Sequence, residues 1–185
     1  MPKDRDQREK RMMESQGFLI DDFSREDGLS AVGTRWQFFT DQVMGGVSTG
    51  AARFAVHEGR RSIRLQGRVS LENNGGFIQV ALPLVTGDEP LDASNCRGVR
   101  IWARGNEERY GVHIRTSDLG LPWQYYSAEF AAGAVWKKVD LPFSKFRPES
   151  SETALNPSRL TRVAIVAADK AFKADVAVSR LKFYR

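Results

Sequence analysis

The feature that most narrows the folds open to this chain is a side-chain period of two that recurs, run after run, from about Gly17 onward. Val99, Ile101 and Ala103 alternate with Arg100, Trp102 and Arg104. Tyr110, Val112 and Ile114 are set against His113 and Arg115, and Tyr126, Ala128 and Phe130 against Tyr125, Ser127 and Glu129. Such alternation places successive side chains on opposite faces of an extended chain, so each run has one face suited to a core. Further runs cover 36–40, 51–57, 62–66, 76–84, 135–141, 162–168 and 175–184. In 135–141 the inward face is not cleanly marked, because Val135, Val139 and Leu141 share parity with Lys137. Short breakers separate the runs, and Asn74-Gly75 reads as a type I′ hairpin turn, which needs positive φ at both central residues. No sustained helical period follows residue 20, and 158–161 fits a single turn. About ten strands at this spacing predict an all-β fold, an antiparallel β-sandwich or jelly roll.

With 185 residues the chain fills one well-buried core and is too short for two comfortable ones. The expected division is a charged N-terminal extension at 1–17 and a single sandwich domain at 18–185. The extension lacks the apolar stretch of a secretory signal, and Asp4, Asp6, Glu9 and Glu14 argue against an organelle transit peptide. A single cysteine, Cys96, excludes an internal disulfide and favours a reducing compartment, so the cytoplasm is the expected location. No apolar run approaches a membrane-spanning length. The net charge of +5 is spread through the sequence with no dense basic arm, and no nucleic-acid partner is expected.

Residues that would carry chemistry are sparse. Gly-rich phosphate loops and nucleophile elbows are absent, and His57 and His113 lie in no metal-ligand spacing. No catalytic residue, cofactor or metal site is expected, and the chain reads as a non-enzyme. Two loop segments stand out. In WQFFTDQVMGGVSTG, at 36–50, paired glycines Gly45 and Gly46 permit positive φ or close backbone approach, and Asp41 can accept from free N–H groups. The favoured reading is a tight loop that Asp41 holds while Val43 and Met44 plug the core; a ligand site is the alternative. In SLENNGGFIQV, at 70–80, Asn73 and Asn74 fit a bare hairpin, or alternatively a site offering oxygens to a cation or a sugar.

The D-x-V-M-G-G-x-S core, Asp41, Val43, Met44, Gly45, Gly46 and Ser48, followed by S-L-E-N-N-G-G-F at Ser70 to Phe77, resembles the complex I intermediate-associated protein 30 family. The strand ending Ile114-Arg115-Thr116, the LPFSKF stretch and Ala168-Asp169-Lys170 are also similar to it. Thr40 stands where that family usually has Asn before the Asp. The resemblance implies a galactose-binding-like jelly roll and kinship with an assembly factor of respiratory complex I.

Alternation also sets Trp102, His113, Arg115, Tyr125, Glu129 and Trp136 opposite apolar positions. If their strands share a sheet, they form one aromatic and charged face suited to a sugar or to a protein interface; the alternative is ordinary strand packing under a loop. Three functions follow: a protein-binding assembly factor or chaperone-like module, with respiratory-complex subunits as partners; a carbohydrate-binding module; and an enzyme, for which no residue speaks.

Overall fold

The computed structural model describes residues 17–185. Apart from Gly17, the charged extension expected at 1–17 lies outside these residues. Twelve strands follow in chain order: β1 (Phe18–Asp21), β2 (Gln37–Thr40), β3 (Thr49–His57), β4 (Arg60–Val69), β5 (Phe77–Pro83), β6 (Gly98–Gly105), β7 (Glu108–Thr116), β8 (Tyr125–Ala132), β9 (Lys137–Pro142), β10 (Arg147–Glu149), β11 (Leu160–Ala168) and β12 (Phe172–Tyr184). Only short 3-10 turns accompany them among the described residues.

The strands form two six-stranded antiparallel sheets. Sheet 1 runs β3-β4-β12-β6-β9, with β1 pairing the last part of β12 beyond the reach of β4. Sheet 2 runs β10-β8-β7-β11-β5-β2. Leu65, Ile101, Val178 and Phe183 from sheet 1 meet Leu82, Val112, Tyr126 and Ile165 from sheet 2, all essentially buried in one continuous core. Ile101, Val112 and Tyr126 hold the inward parity that alternation assigned them, and the predicted sandwich is the observed one.

Ten of the strands fall where periodicity places them. The other two, β1 and β10, have four and three residues, too few to show a period. The ambiguous run at 135–141 becomes edge strand β9, in which Leu141 is buried, Val139 half-buried and Lys137 exposed. The expected turn at 158–161 is a 3-10 turn at Pro157–Arg159, with β11 already under way at Leu160.

The Asn74-Gly75 hairpin is not formed. Asn73 and Asn74 carry the positive φ values, 56° and 57°, and the segment takes the chain from β4 in sheet 1 to β5 in sheet 2. The paired positive-φ residues fall one position before Asn74-Gly75, and the connection joins sheets rather than neighbouring strands. β6 to β7 makes a second such crossing. Buried Tyr110 locks it: its hydroxyl donates to Asn106 Oδ1 at 2.5 Å and accepts from the Asp175 N–H at 2.9 Å.

The layering predicts the energetics. Leu82→Ala, at the centre, should cost about 2–5 kcal/mol in urea unfolding, whereas Val56→Ala on exposed edge strand β3 should stay within about 0.5 kcal/mol. Equal losses at the two positions would contradict the assignment of the core.

Candidate functional site

Two regions hold the residues singled out by the sequence. At one end of the sandwich, the loop between β2 and β3 meets the loop between β4 and β5 around the carboxylate of Asp41. Asp41 is fully buried. Its Oδ1 accepts from Ser48 N at 2.9 Å; its Oδ2 accepts from Ser48 Oγ at 2.5 Å, Gly76 N at 2.6 Å and Phe77 N at 3.3 Å. Burial alone would raise this carboxyl's pKa, but the hydrogen bonds from Ser48, Gly76 and Phe77 outweigh it and hold the group below its usual value. The Ser48 hydroxyl also accepts from Ser70 N at 2.9 Å, and the Asn73 amide donates to the Gly45 carbonyl at 3.3 Å.

The glycines serve this arrangement in different ways. Gly45 sits at φ 88° and closes the 3-10 turn Asp41–Met44, as positive φ was expected for one of the pair. Gly46 has ordinary φ, yet a Cβ there would overlap the Asp41 carboxyl group. Thr40 caps the turn, its Oγ1 accepting from Gln42 N at 3.1 Å. One expectation fails: Val43 and Met44 do not plug the core but are 74% and 63% exposed. A one-turn helix can point only one side inward, and Asp41 occupies it.

The second region is the outer face of sheet 2. Register puts Tyr125, Arg115 and Arg162 in one row across β8, β7 and β11, and Ser127, His113, Ala164 and Ala81 in the next across β8, β7, β11 and β5. Glu129, Gly111, Val166, Gln79 and Phe39 form a third. Ala81, Ala164 and Val166 face outward and are nonetheless buried, packed with Phe39 and Phe77 as a satellite cluster. Larger side chains close over these small residues, and beside them opens a shallow trough lined by Gly111, His113, Ser127, Glu129, Val166 and Asp169. Arg162 lies 5.6 Å from the Phe39 ring two strands away. On the β7 and β8 side, His113 and Tyr125 stack with centroids 4.1 Å apart and planes at 12°.

Of the six face residues, the fold brings four together. His113, Arg115, Tyr125 and Glu129 share sheet 2; Trp102 on β6, and Trp136 just before β9, lie on sheet 1. The single-sheet expectation is therefore corrected. Runs β6 and β7 look like adjacent strands in sequence, but the short turn between them crosses the sandwich. Both tryptophans are already engaged. The Arg60 guanidinium covers Trp102 at 4.2 Å, and Trp136 donates from Nε1 to the His57 carbonyl at 3.3 Å.

Sequence reading missed Trp123. It sits in the β7–β8 loop, two residues before Tyr125, and is 60% exposed. That loop is firmly tied: Arg115 donates to the carbonyls of Gln124 (3.0 Å) and Leu121 (2.9 Å), Leu121 N donates to Gln124 Oε1 (3.0 Å), and Gln124 Nε2 reaches the Ser150 carbonyl (2.9 Å). A tryptophan between Pro122 and Gln124, outside any alternating run, was the available signal. Arg162, Phe39 and Gln79 were missed because only register reveals that they join this face.

Electrostatically the trough mixes charge with neutral aromatic surface. Arg109 and Glu129 pair at 2.9 Å on its open side. Burial, with a smaller contribution from Arg162, lowers the His113 pKa to about 4, so the ring is neutral at neutral pH. Among the described residues no three His, Cys, Asp or Glu side chains cluster as a metal site. The arrangement offers ring faces, hydrogen-bond donors and the carboxylates of Glu129 and Asp169, groups of the kind that ligand-binding surfaces use.

Comparison with known proteins fits this picture. Residues 22–176 match the family model described as complex I intermediate-associated protein 30. Among curated proteins, Endoglucanase 3 of Fibrobacter succinogenes is 29% identical over 148 residues, covering 71% of this chain and 21% of that protein. The chain thus spans about a fifth of the curated relative's length. Among solved structures, the family 11 carbohydrate-binding module from Clostridium thermocellum, in complex with a beta-1,3-1,4-mixed-linked tetrasaccharide, aligns with a TM-score of 0.69 at 13% identity, over 91% of this chain and 95% of that one. The family 30 module of a cellulosomal cellulase from the same organism gives 0.53 at 16% identity, over 72% and 80%. These structural likenesses establish the β-sandwich jelly roll.

Two outcomes follow from the geometry. Asp41→Ala leaves several buried donors unpaired and should cost about 3 kcal/mol or more, and Gly46→Ala at least about 1 kcal/mol, in urea unfolding; tolerance of both would show that the loops are not held as described. For His113 the folded pKa is below the unfolded one, so the unfolded chain binds the extra proton between about pH 6.5 and pH 4. Stability should be full above that window and decline as pH falls through it, and His113→Phe should flatten the decline. An unchanged pH profile in the variant would contradict the assignment.

Proposed function

The chain belongs to the complex I intermediate-associated protein 30 family, and from that premise we propose that it is a non-catalytic binding domain whose ligand is a glycan chain laid along the outer face of sheet 2. The observation that carries this reading is Trp123: a large ring, 60% exposed, on a loop fixed by hydrogen bonds from Arg115 and Gln124. An exposed indole costs solvation and contributes little to the core, and fixing it in advance lowers the entropy lost on binding. Sugar rings present apolar faces that stack on such a surface, while their hydroxyls need donors and acceptors of the kind that Arg162, Gln79 and Glu129 supply along this face.

A second reading has its own support. Family membership favours a protein partner, and Trp, Tyr and Arg are the residues that dominate protein interfaces. On this reading the same face grips a folded partner, and the domain assists assembly of a larger complex in the cell interior. Both readings are non-catalytic and use the same residues.

Affinity electrophoresis through soluble mixed-linked glucan, with a broader glycan array, separates them. The wild-type chain should be retained by at least one glycan, and Trp123→Ala should weaken retention about tenfold, the equivalent of about 1.4 kcal/mol. Trp102→Ala, on the opposite sheet, should retain full binding. Absence of any retained glycan, with a co-purifying protein lost on Trp123→Ala, would overturn the glycan reading in favour of the second.

A further inference from the structure

Charges that look evenly mixed along the sequence are sorted by the register. On the outer face of sheet 1, Lys173 of β12 stands directly opposite Arg68 of β4. Like charges in that position repel. The nearest acid, Asp175, is already held by Arg64 at 2.8 and 2.7 Å and by Gln66 at 3.3 Å. Arg53, Arg68 and Lys173 are exposed and have no ion pair among the described residues. With Gly50, Ala51 and Gly67 they line an open groove of about 400 Å³.

This groove adjoins the Asp41 end of the sandwich. Ser48, just before β3, and Ser70, just after β4, are bonded to each other, so Arg68 is two residues from the loop and Thr49 is its cross-strand partner. The two loops at this end carry four exposed apolar side chains: Val43 at 74%, Met44 at 63%, Leu71 at 51% and Val47 at 41%. The clamp of Asp41 keeps the loop backbones in place and leaves these side chains in water. Unsatisfied cations beside a rigid apolar tip form an amphipathic surface.

We propose that this end of the molecule docks on an anionic lipid surface, with Val43, Met44 and Leu71 entering the headgroup layer and Arg53, Arg68 and Lys173 receiving lipid phosphates. A lipid surface fits better than a protein groove. Four exposed side chains on two loops fall well short of the roughly 1,000 Å² that a stable protein interface buries. A bilayer interface accepts apolar side chains individually, and adjacent cations add attraction to acidic headgroups. This inference does not rest on the sheet 2 ligand, since its cations lie on sheet 1 and its apolar side chains on the loops joining the sheets.

Vesicle co-sedimentation of the full chain tests it. Vesicles of phosphatidylcholine with about one third phosphatidylserine should sediment the protein, and pure phosphatidylcholine should not; raised salt should weaken the binding because the cations are solvent-exposed. Val43→Asp with Met44→Asp, and separately Arg68→Glu with Lys173→Glu, should each reduce binding at least about tenfold at unchanged thermal unfolding. Failure to bind acidic vesicles, or equal binding by the Val43 and Met44 variant, would overturn the proposal. Binding of soluble polyphosphate that the Val43 and Met44 change leaves intact, without vesicle binding, would assign the groove to a free anion instead.

Discussion

One buried carboxylate governs how the two sheets meet. Asp41 lies on the crossing from β2 in sheet 2 to β3 in sheet 1, and it grips Gly76 and Phe77 at the crossing from sheet 1 back to β5 in sheet 2. A charge removed from water persists only if hydrogen bonds replace its hydration, and here four donors do so. The two crossings are therefore pinned to each other. The glycines around the carboxylate follow from this constraint, because Gly46 and Gly75 leave no room for a side chain beside it.

From that pin the surfaces divide. Sheet 2 turns outward a trough lined by Gly111, Glu129 and Val166 and flanked by the His113–Tyr125 stack, with Trp123 exposed on the loop that Arg115 ties down. Sheet 1 turns outward cations, and its tryptophans are covered by arginine or bonded to backbone. A face with free rings and a face with spent rings are thus carried by one sandwich, which is the ground for the two proposals, a glycan on sheet 2 and a lipid surface at the clamped end.

Much of this was legible in the sequence and some could not be. Parity identified the inward residues of β6, β7 and β8 without error, because a strand buried on one face must alternate. The Asp41 loop was read as self-tying, and it is. What parity cannot supply is the identity of a strand's neighbours: β6 and β7 look like consecutive partners, yet the two-residue turn at Asn106 and Glu107 sends them to opposite sheets, separating Trp102 and Trp136 from Tyr125. For the same reason Arg162 and Phe39 joined the sheet 2 face unannounced, and Arg68 met Lys173 although more than a hundred residues separate them in the chain. Val43 and Met44 were placed inside on hydrophobicity alone, but the one inward position of a short turn belonged to the aspartate.

The central claim is that the sheet 2 trough binds a glycan. Amide chemical-shift mapping of the isotope-labelled chain during titration with a mixed-linked glucan tetrasaccharide tests it most directly. The account predicts saturable shifts confined to residues 123–129, 111–115, 162–166 and 77–81, together with loss of the exposed Trp123 indole's solvent exchange. Shifts centred instead on β6, β9 and β12 of sheet 1, or none at saturating sugar, would contradict it.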